Sequence, residues 1–401
     1  MGGETPCLRQ ALEARASQGL NILRIGYVVS YFHPFASGAE RQALEQGREL
    51  ARRGHTVHVL TRAVPGYPID DEEYDGIFIH RWIRTIDFGP CFGLSFVAGV
   101  RRGLRRFGSQ LDVIHTHQGL WEAVATGLAR PRRGGIPTLV QPASSGHFGE
   151  AEELQRTRGA GLLRRIILEN SAFAAISSDI ESQWRALGVE PERLVRVASG
   201  VNTERFCPGS SAVESSLPPR PRVLFTGRLH PQKNLPVLLE AWTEVVRRSP
   251  AHLILLGPGT DRVPLMGLAE SLGISERVWF LEAVSDPSDY LRAADVFVLP
   301  SVAEGMSNSL LEAMATALPC VVSGIGGNTD LITDRKTGRL VDASNPKAWA
   351  ATLLETLEHS DEARQLGAAA RRRVEAEFSL SAVVDRYLDI YRRLVERTWP
   401  G

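Results

Sequence analysis

Two hydrophobic periods alternate along this chain: short apolar runs of strand length, and longer stretches whose apolar residues recur every three or four positions. LRIGYVV, from Leu23 to Val29, reads as a buried strand, and a helical stretch follows through Arg53, closed by Gly54. His55-Thr56-Val57-His58-Val59-Leu60-Thr61 reads as the next strand. GIFIHRW, DVIHTH, IPTLVQ, FAAISS and RLVRVAS follow, spaced by helical patterns such as Glu122 to Leu128 and Leu162 to Asn170. Alternation of this kind predicts a parallel sheet covered by helices on both faces. The pattern then restarts with RVLFTG (Arg222 to Gly227), a helix from Leu235 to Arg248, and the strands HLILLGPG, RVWFLEA, ADVFVLP and PCVVSG. The tail, Leu380 to Glu396, is helical, with Val383, Val384, Tyr387, Leu388, Tyr391 and Leu394 on one face.

The expected organisation is therefore two doubly wound α/β domains, with ligands bound beyond the carboxyl ends of the strands. A mobile extension covers 1–20, a first domain 21–200 and a second 201–382, and a C-terminal helix over 383–401 packs back on the first. Thr203 to Pro221, rich in Ser and Pro, reads as the crossing between them. A chain of 401 residues is long enough for two cores, and 43% hydrophobic with 23% charged residues fits a globular protein. Lys+Arg and Asp+Glu both total 46, which argues against nucleic acid as a general partner. Cys7, Cys91, Cys207 and Cys320 form no CxxC pair, which favours reduced thiols over a disulfide framework or a zinc site. No apolar run approaches membrane-spanning length, which is roughly 20 residues. Arg101, Arg102, Arg105 and Arg106 share a segment with Phe96, Val97, Val100, Leu104 and Phe107. That pattern fits a solvated helix face or a basic amphipathic helix on anionic lipid.

Candidate chemistry gathers in the second half. In ADVFVLPSVAEGMSNSLLEAMA, a buried strand ends at Pro300, Glu304 sits in the loop, and Glu312 falls about a turn inside the helix that follows. Free amides at that helix start, flanked by two carboxylates, suit a ligand bearing phosphates and hydroxyls. Ser309-Leu310-Leu311-Glu312 equally fits a capping box, with Ser309 as the cap. After the first strand of the same half, Gly227-Arg228-Leu229-His230-Pro231-Gln232-Lys233 offers a guanidinium fork and a point charge for phosphate. Lysine occurs only at 233, 336 and 347, so its placement there is informative. Ser37-Gly38 after the first strand and Ser323 to Asn328 after PCVV are further amide-rich turns. His115, His117 and His147 lie at or beyond first-half strand ends, as cleft groups or structural hydrogen-bonders. No metal-ligand cluster, P-loop or GxGxxG occurs.

With these residues in place, the chain resembles the retaining glycosyltransferases of family 4, which have the GT-B fold. The motifs that carry the likeness are SGAER with LARRGHTVHVLT, then SGVNTERFCP, TGRLHPQKNLPVLLEAW, the 294–315 stretch with its E-x7-E spacing, and GGNTDLI with TGRLV, all in the family's order. The resemblance implies that a nucleoside diphosphate sugar, UDP- or GDP-linked, binds mainly to the second domain, and the acceptor to the first. It gives Arg228 and Lys233 the diphosphate, Glu304 the sugar hydroxyls and Glu312 the ribose. Amides around Met306, Ser307 and Asn308 would hold sugar and phosphate, with Gly227, Gly305 and Leu311 in the same donor-binding set. Gly38 would let a first-domain loop approach the diphosphate. Glu304, Arg228, Lys233 and His147 form the implied catalytic set, with no metal and no tightly bound cofactor.

Retention in the family is most often explained by front-face attack without a protein nucleophile. The implied acceptor is a hydroxyl of a glycan, glycolipid or small molecule, in bacterial polysaccharide or cell-envelope synthesis. The implied setting is the cytoplasm, with weak peripheral contact at the inner membrane face, while the oligomeric state stays open. A nucleotide-sugar epimerase or a phosphorylase of the same fold is the alternative, and a non-catalytic nucleotide-binding protein ranks below both. Pro142-Ala143-Ser144-Ser145 stands where the family commonly has a His, Leu318 where a Gly is usual, and Glu282 in place of a frequent Gly.

Overall fold

The computed structural model describes residues 22–399 apart from 35–37, 65, 68–70, 89, 130–133 and 147–148. The 1–20 extension and His147 therefore lie outside the described residues. Two sheets organise the chain. The larger contains β1 (Arg24–Val28), β2 (Thr56–Arg62), β3 (Asp71–Tyr74), β4 (Ile77–Ile83), β5 (Val113–Thr116), β6 (Thr138–Val140), β7 (Ala172–Ala175) and β8 (Leu194–Arg196). Their order is β3-β4-β2-β1-β5-β6-β7-β8, and β3 runs antiparallel to β4. The smaller contains β9 (Arg222–Thr226), β10 (His252–Leu256), β11 (Val278–Leu281), β12 (Val296–Leu299), β13 (Cys320–Ser323) and β14 (Arg339–Val341), in the order β11-β10-β9-β12-β13-β14. Its ladders are all parallel.

By packing, the chain divides into two compact units. Among the described residues, the first holds those of 22–141, 165–172 and 390–399; the second holds those of 142–164 and 173–389. The segment 203–221 is held in the second unit by the helix Ser288–Ala293: Arg292 donates to the Arg205 carbonyl at 2.8 Å, and Ser211 Oγ to the Asp289 carbonyl at 2.8 Å.

Burial explains why these residues form these strands. Every residue of β9, β12 and β13 is buried, as a strand sandwiched between two helical layers requires, so the runs read as continuous apolar stretches. The helix Leu235–Arg248 turns Leu235, Leu238, Leu239, Trp242 and Val245 inward at helical spacing, and Asn234 before it takes the left-handed conformation with φ 53°. In the first unit, Val28, Leu60, Ile83, Phe96, Val100 and Ile114 form one buried cluster under the helix Pro90–Phe107. Two strands carry too little apolar pattern to be predicted. The β3 run Asp-Glu-Glu-Tyr is polar and partly exposed at a sheet edge, and β14 is three residues long.

Strand order also fixes where a ligand site can form. In the smaller sheet the chain moves outward from β9 through β10 to β11, then returns to the other side of β9 with β12. Loops leaving the carboxyl ends of β9 and β12 diverge there, opening a crevice at the reversal point. The β9 loop carries Gly227 to Lys233 and the β12 loop carries Glu304.

Candidate active site

At this reversal point the two loops are joined by a charge pair. Lys233 Nζ lies 2.5 Å from Glu304 Oε1, and the same oxygen accepts the Ser301 hydroxyl at 2.6 Å. Both side chains are shielded, Lys233 at 14% and Glu304 at 7% exposure, so the pair is screened far less than a surface salt bridge. The backbone around Glu304 is equally held. Its carbonyl accepts the Ser145 hydroxyl at 2.9 Å and the Gly327 amide at 3.2 Å, and Gln232 Nε2 donates to the Ala303 carbonyl at 2.8 Å. An ammonium has three donors, and the Glu304 carboxylate takes one of them.

Gly227 begins the β9 loop at φ 151°, in the region that favours glycine, with its amide bonded to the Leu256 carbonyl. Arg228 is exposed, with no ion pair among the described residues. Beyond Glu304 the backbone of two loops touches directly. A Cβ on Gly327 would stand 2.0 Å from the Gly305 carbonyl, and one on Gly305 would stand 2.5 Å from the Ala143 carbonyl. Neither position admits a side chain without displacing backbone.

The helix Asn308–Ala315 is capped by Ser307, whose hydroxyl accepts the Leu310 amide at 3.3 Å. The expected cap at Ser309 is therefore displaced by two residues. With Ser307 as cap, the capping-box position falls on Leu310, so Glu312 lies deeper in the helix and is not the reciprocal partner. Glu312 is buried at 4% exposure, Leu311 at 0% and Met306 at 8%; the Met306 sulfur receives the Ser199 amide at 3.2 Å. Asn308 is the first helical residue. Thus Gly227, Arg228, Lys233, Glu304 to Asn308, Leu311 and Glu312 all belong to the second unit, around the ends of β9 and β12. Gly38 is exposed in the first unit, as the first residue of the helix Gly38–Arg52.

Comparison with known proteins decides the family. Residues 220–359 match "Glycosyl transferases group 1", and residues 36–205 match "Glycosyltransferase Family 4". A D-inositol 3-phosphate glycosyltransferase of Rhodococcus erythropolis is 30% identical over 394 residues, covering 89% of this chain and 87% of the relative. The chain is a family 4, group 1 glycosyltransferase. Its fold is shared with a sucrose-phosphate synthase from Thermosynechococcus elongatus, at a TM-score of 0.79 and 23% identity over 93% of this chain and all of the other. The Anabaena protein HepE, solved with UDP-glucose, aligns at a TM-score of 0.77 and 18% identity, covering 92% of this chain and 99% of that one. The glycosyltransferase thus has the GT-B fold, two α/β domains with parallel sheets.

Some residues of this glycosyltransferase have roles that the motifs do not spell out. Ser301 and Ser145 hold Glu304 from 3 and 159 residues away. Ser301 lies within the 294–315 motif, and Ser145 closes the Pro142–Ser145 run that departs from the family pattern, but neither position signals a bond to Glu304. Asn328, fully buried, donates to Ser323 Oγ and to the Ser323 carbonyl, both at 3.2 Å, and so ties the turn after β13 to that strand. Two further points concern the departures. Leu318 has an ordinary backbone, whereas Ala317 before it has φ 60°, so the glycine-favouring position is Ala317. Glu282 is 81% exposed and pairs with Arg262 at 3.2 Å.

In the first unit, His115 and His117 are both enclosed. His115 Nδ1 shares a 2.7 Å hydrogen bond with the Tyr391 hydroxyl, and its ring lies 4.2 Å from that of His117. Burial pushes the His117 pKa down to about 3 and the His115 pKa well below its usual value, so both imidazoles are neutral at physiological pH. Among the described residues, no helix is long and apolar enough to cross a membrane, and Cys91, Cys207 and Cys320 are free thiols.

Proposed function

We propose that this enzyme transfers a sugar, with retention of anomeric configuration, from a nucleoside diphosphate sugar to an acceptor hydroxyl. The observation that carries the reading is the shielded Lys233–Glu304 pair at the reversal point of the second sheet, with exposed Arg228 on the same loop. Breaking the anomeric C–O bond puts negative charge on the departing diphosphate. Arg228, the Lys233 ammonium and the first amides of Asn308–Ala315 stabilise that charge where it develops. Glu304 serves as a sugar-positioning group. Its Oε1 already holds a hydroxyl and an ammonium, which lowers its nucleophilicity and fixes its orientation. The acceptor hydroxyl then attacks the anomeric carbon on the face the diphosphate leaves, its proton passing to the departing diphosphate oxygen as the new C–O bond replaces the old one, unlike the paired-carboxylate chemistry of retaining glycosidases. Glu312 is assigned to the ribose hydroxyls.

UDP is the first nucleotide to test, because HepE was solved with UDP-glucose. Inositol 3-phosphate is the first small acceptor, because relatives across 89% of this chain bear that name. The deciding experiment is a thermal-shift screen of UDP, GDP and ADP with their sugars. A ligand at 100 times its Kd adds about 2.7 kcal/mol to the folded state, so the correct nucleotide raises Tm by several degrees. A flat response to all three overturns the donor assignment. Conversion of a nucleotide sugar to an epimer, without an acceptor, replaces transfer with isomerisation.

A further inference from the structure

We infer that the outer face of the helix Pro90–Phe107, with the loop that leads into it from β4, docks the first unit on an anionic phospholipid bilayer. The orientation of the helix is fixed by its inner side. A Cβ on Gly93 would stand 2.4 Å from the Trp121 ring, on Gly99 2.9 Å from Ile83 and on Gly103 2.7 Å from Leu60, so this stripe is pressed against the core. Phe96, Val100 and Phe107 share it and are buried. The opposite stripe is consequently outward, and it changes character along its length. Its first half presents Leu94 at 74% exposure. Its second half presents Arg101, Arg102, Arg105 and Arg106, all exposed.

The loop before the helix enlarges the apolar end. Ile86 is 59% exposed and Phe88 77%, both close in sequence to the exposed Leu94. The Ile86 amide bonds Ser95 Oγ at 2.9 Å, and the Cys91 amide bonds the Phe88 carbonyl at 3.1 Å, which holds these side chains at the first turns of the helix. Scattered exposed apolar residues need no partner, but a cluster bounded by cations does.

Charge selects the partner. From Arg84 to Phe107 there are five arginines and one acid, Asp87, in a chain whose formal net charge is zero. Asp87 is already paired with Arg62 at 2.5 Å. Arg106 stacks over Trp82 at 4.2 Å, while Arg101, Arg102 and Arg105 have no ion pair among the described residues. Aromatic and aliphatic groups next to unpaired arginines match the boundary between acyl chains and anionic headgroups. Nucleic acid would use the arginines but leave Phe88 and Leu94 without a role.

The test is cosedimentation of the full-length protein with vesicles of phosphatidylcholine alone and of phosphatidylcholine mixed with phosphatidylglycerol, at low and high salt. Each arginine near an anionic surface contributes about fivefold to partitioning. The parent is expected to prefer the anionic vesicles by more than tenfold, and to lose that preference in high salt. R101Q/R102Q/R105Q/R106Q should weaken anionic binding by about six-hundredfold, and F88S/L94S by about tenfold, with unchanged Tm and unchanged nucleotide thermal shift. Should a variant fail to fold, the salt dependence of the parent and the single substitutions F88S and R102Q read the same surface. Equal binding to both vesicles, or no binding to either, overturns the proposal. So does RNA binding that competes with vesicles and survives F88S/L94S, which assigns the face to nucleic acid. Binding is read without turnover, so the outcome is independent of the donor assignment.

Discussion

At the scale of single residues, the Lys233–Glu304 contact is both a structural and a chemical commitment. Removing one member of a shielded pair leaves the other charge without compensation, which costs on the order of 3 kcal/mol. Lys233→Met should therefore destabilise the second unit by about that amount. Adding Glu304→Gln to the same chain should recover most of it, since a neutral amide still accepts the Ser301 hydroxyl. Transfer should fall by about 10²–10³ in Lys233→Met and stay low in the double variant, as expected for loss of a group aimed at developing charge. Urea denaturation beside initial rates separates the two effects. A single variant as stable as the parent means that solvent screens the pair; full transfer in the double variant removes both residues from the site. The sequence already pointed to Lys233, through the scarcity of lysine, and to Glu304, through its loop. Their mutual contact was not legible, because 71 residues separate them and only the order of β9 and β12 brings them together. Ser145 is a sharper case: a serine in a polar loop has no local signature of holding a distant carbonyl.

Elements were read more completely than their ends. The second-unit strands β9, β10, β11, β12 and β13 lie within the apolar runs that predict them; β9, β12 and β13 are covered on both faces and so continuously buried, while β11 at the sheet edge keeps an apolar run though only partly buried. The helix Leu235–Arg248 has the expected bounds. Ends depend on individual hydrogen bonds instead, and there a residue or two decides. Ser307, Ser309 and Asn308 are all capable caps, and the structure selects Ser307. The other end of that helix closes with Leu318 N bonded to the Ala313 carbonyl and Ala317 N to the Met314 carbonyl, both at 3.0–3.1 Å. These are the two bonds of a Schellman cap, whose left-handed residue is Ala317 at φ 60°. A Cβ in that conformation costs roughly 1–2 kcal/mol. Part of that cost should be relieved by Ala317→Gly, raising unfolding free energy by about 1 kcal/mol without altering donor binding. A lower midpoint in urea would show instead that the alanine methyl is needed for packing.

For the molecule as a whole, titration should divide the two units. The first unit carries His55 and His58, each pushed down to about 4, His117 at about 3, and His33 and His115 below their usual value. Burial is the leading cause in each. In the second unit His252 is lowered by partial burial. A histidine whose folded pKa lies below the ordinary 6.5 takes up its proton in the unfolded chain first. Stability therefore falls as pH drops below about 6.5 and continues to fall toward about 4. Calorimetry at pH 5 should resolve an early transition from a later one, and hydrogen exchange should locate the early one in residues 22–141. Earlier opening of residues 222–341 would contradict this ranking.

The near absence of lysine has a last consequence. Lys336 and Lys347 are exposed, and Lys233 is the one lysine held against a carboxylate. Isotopic methylation of ε-amines would thus give a spectrum of three side-chain signals, one of them already seated beside Glu304. The composition of this chain supplies a nearly background-free reporter at the very atom assigned to the phosphates.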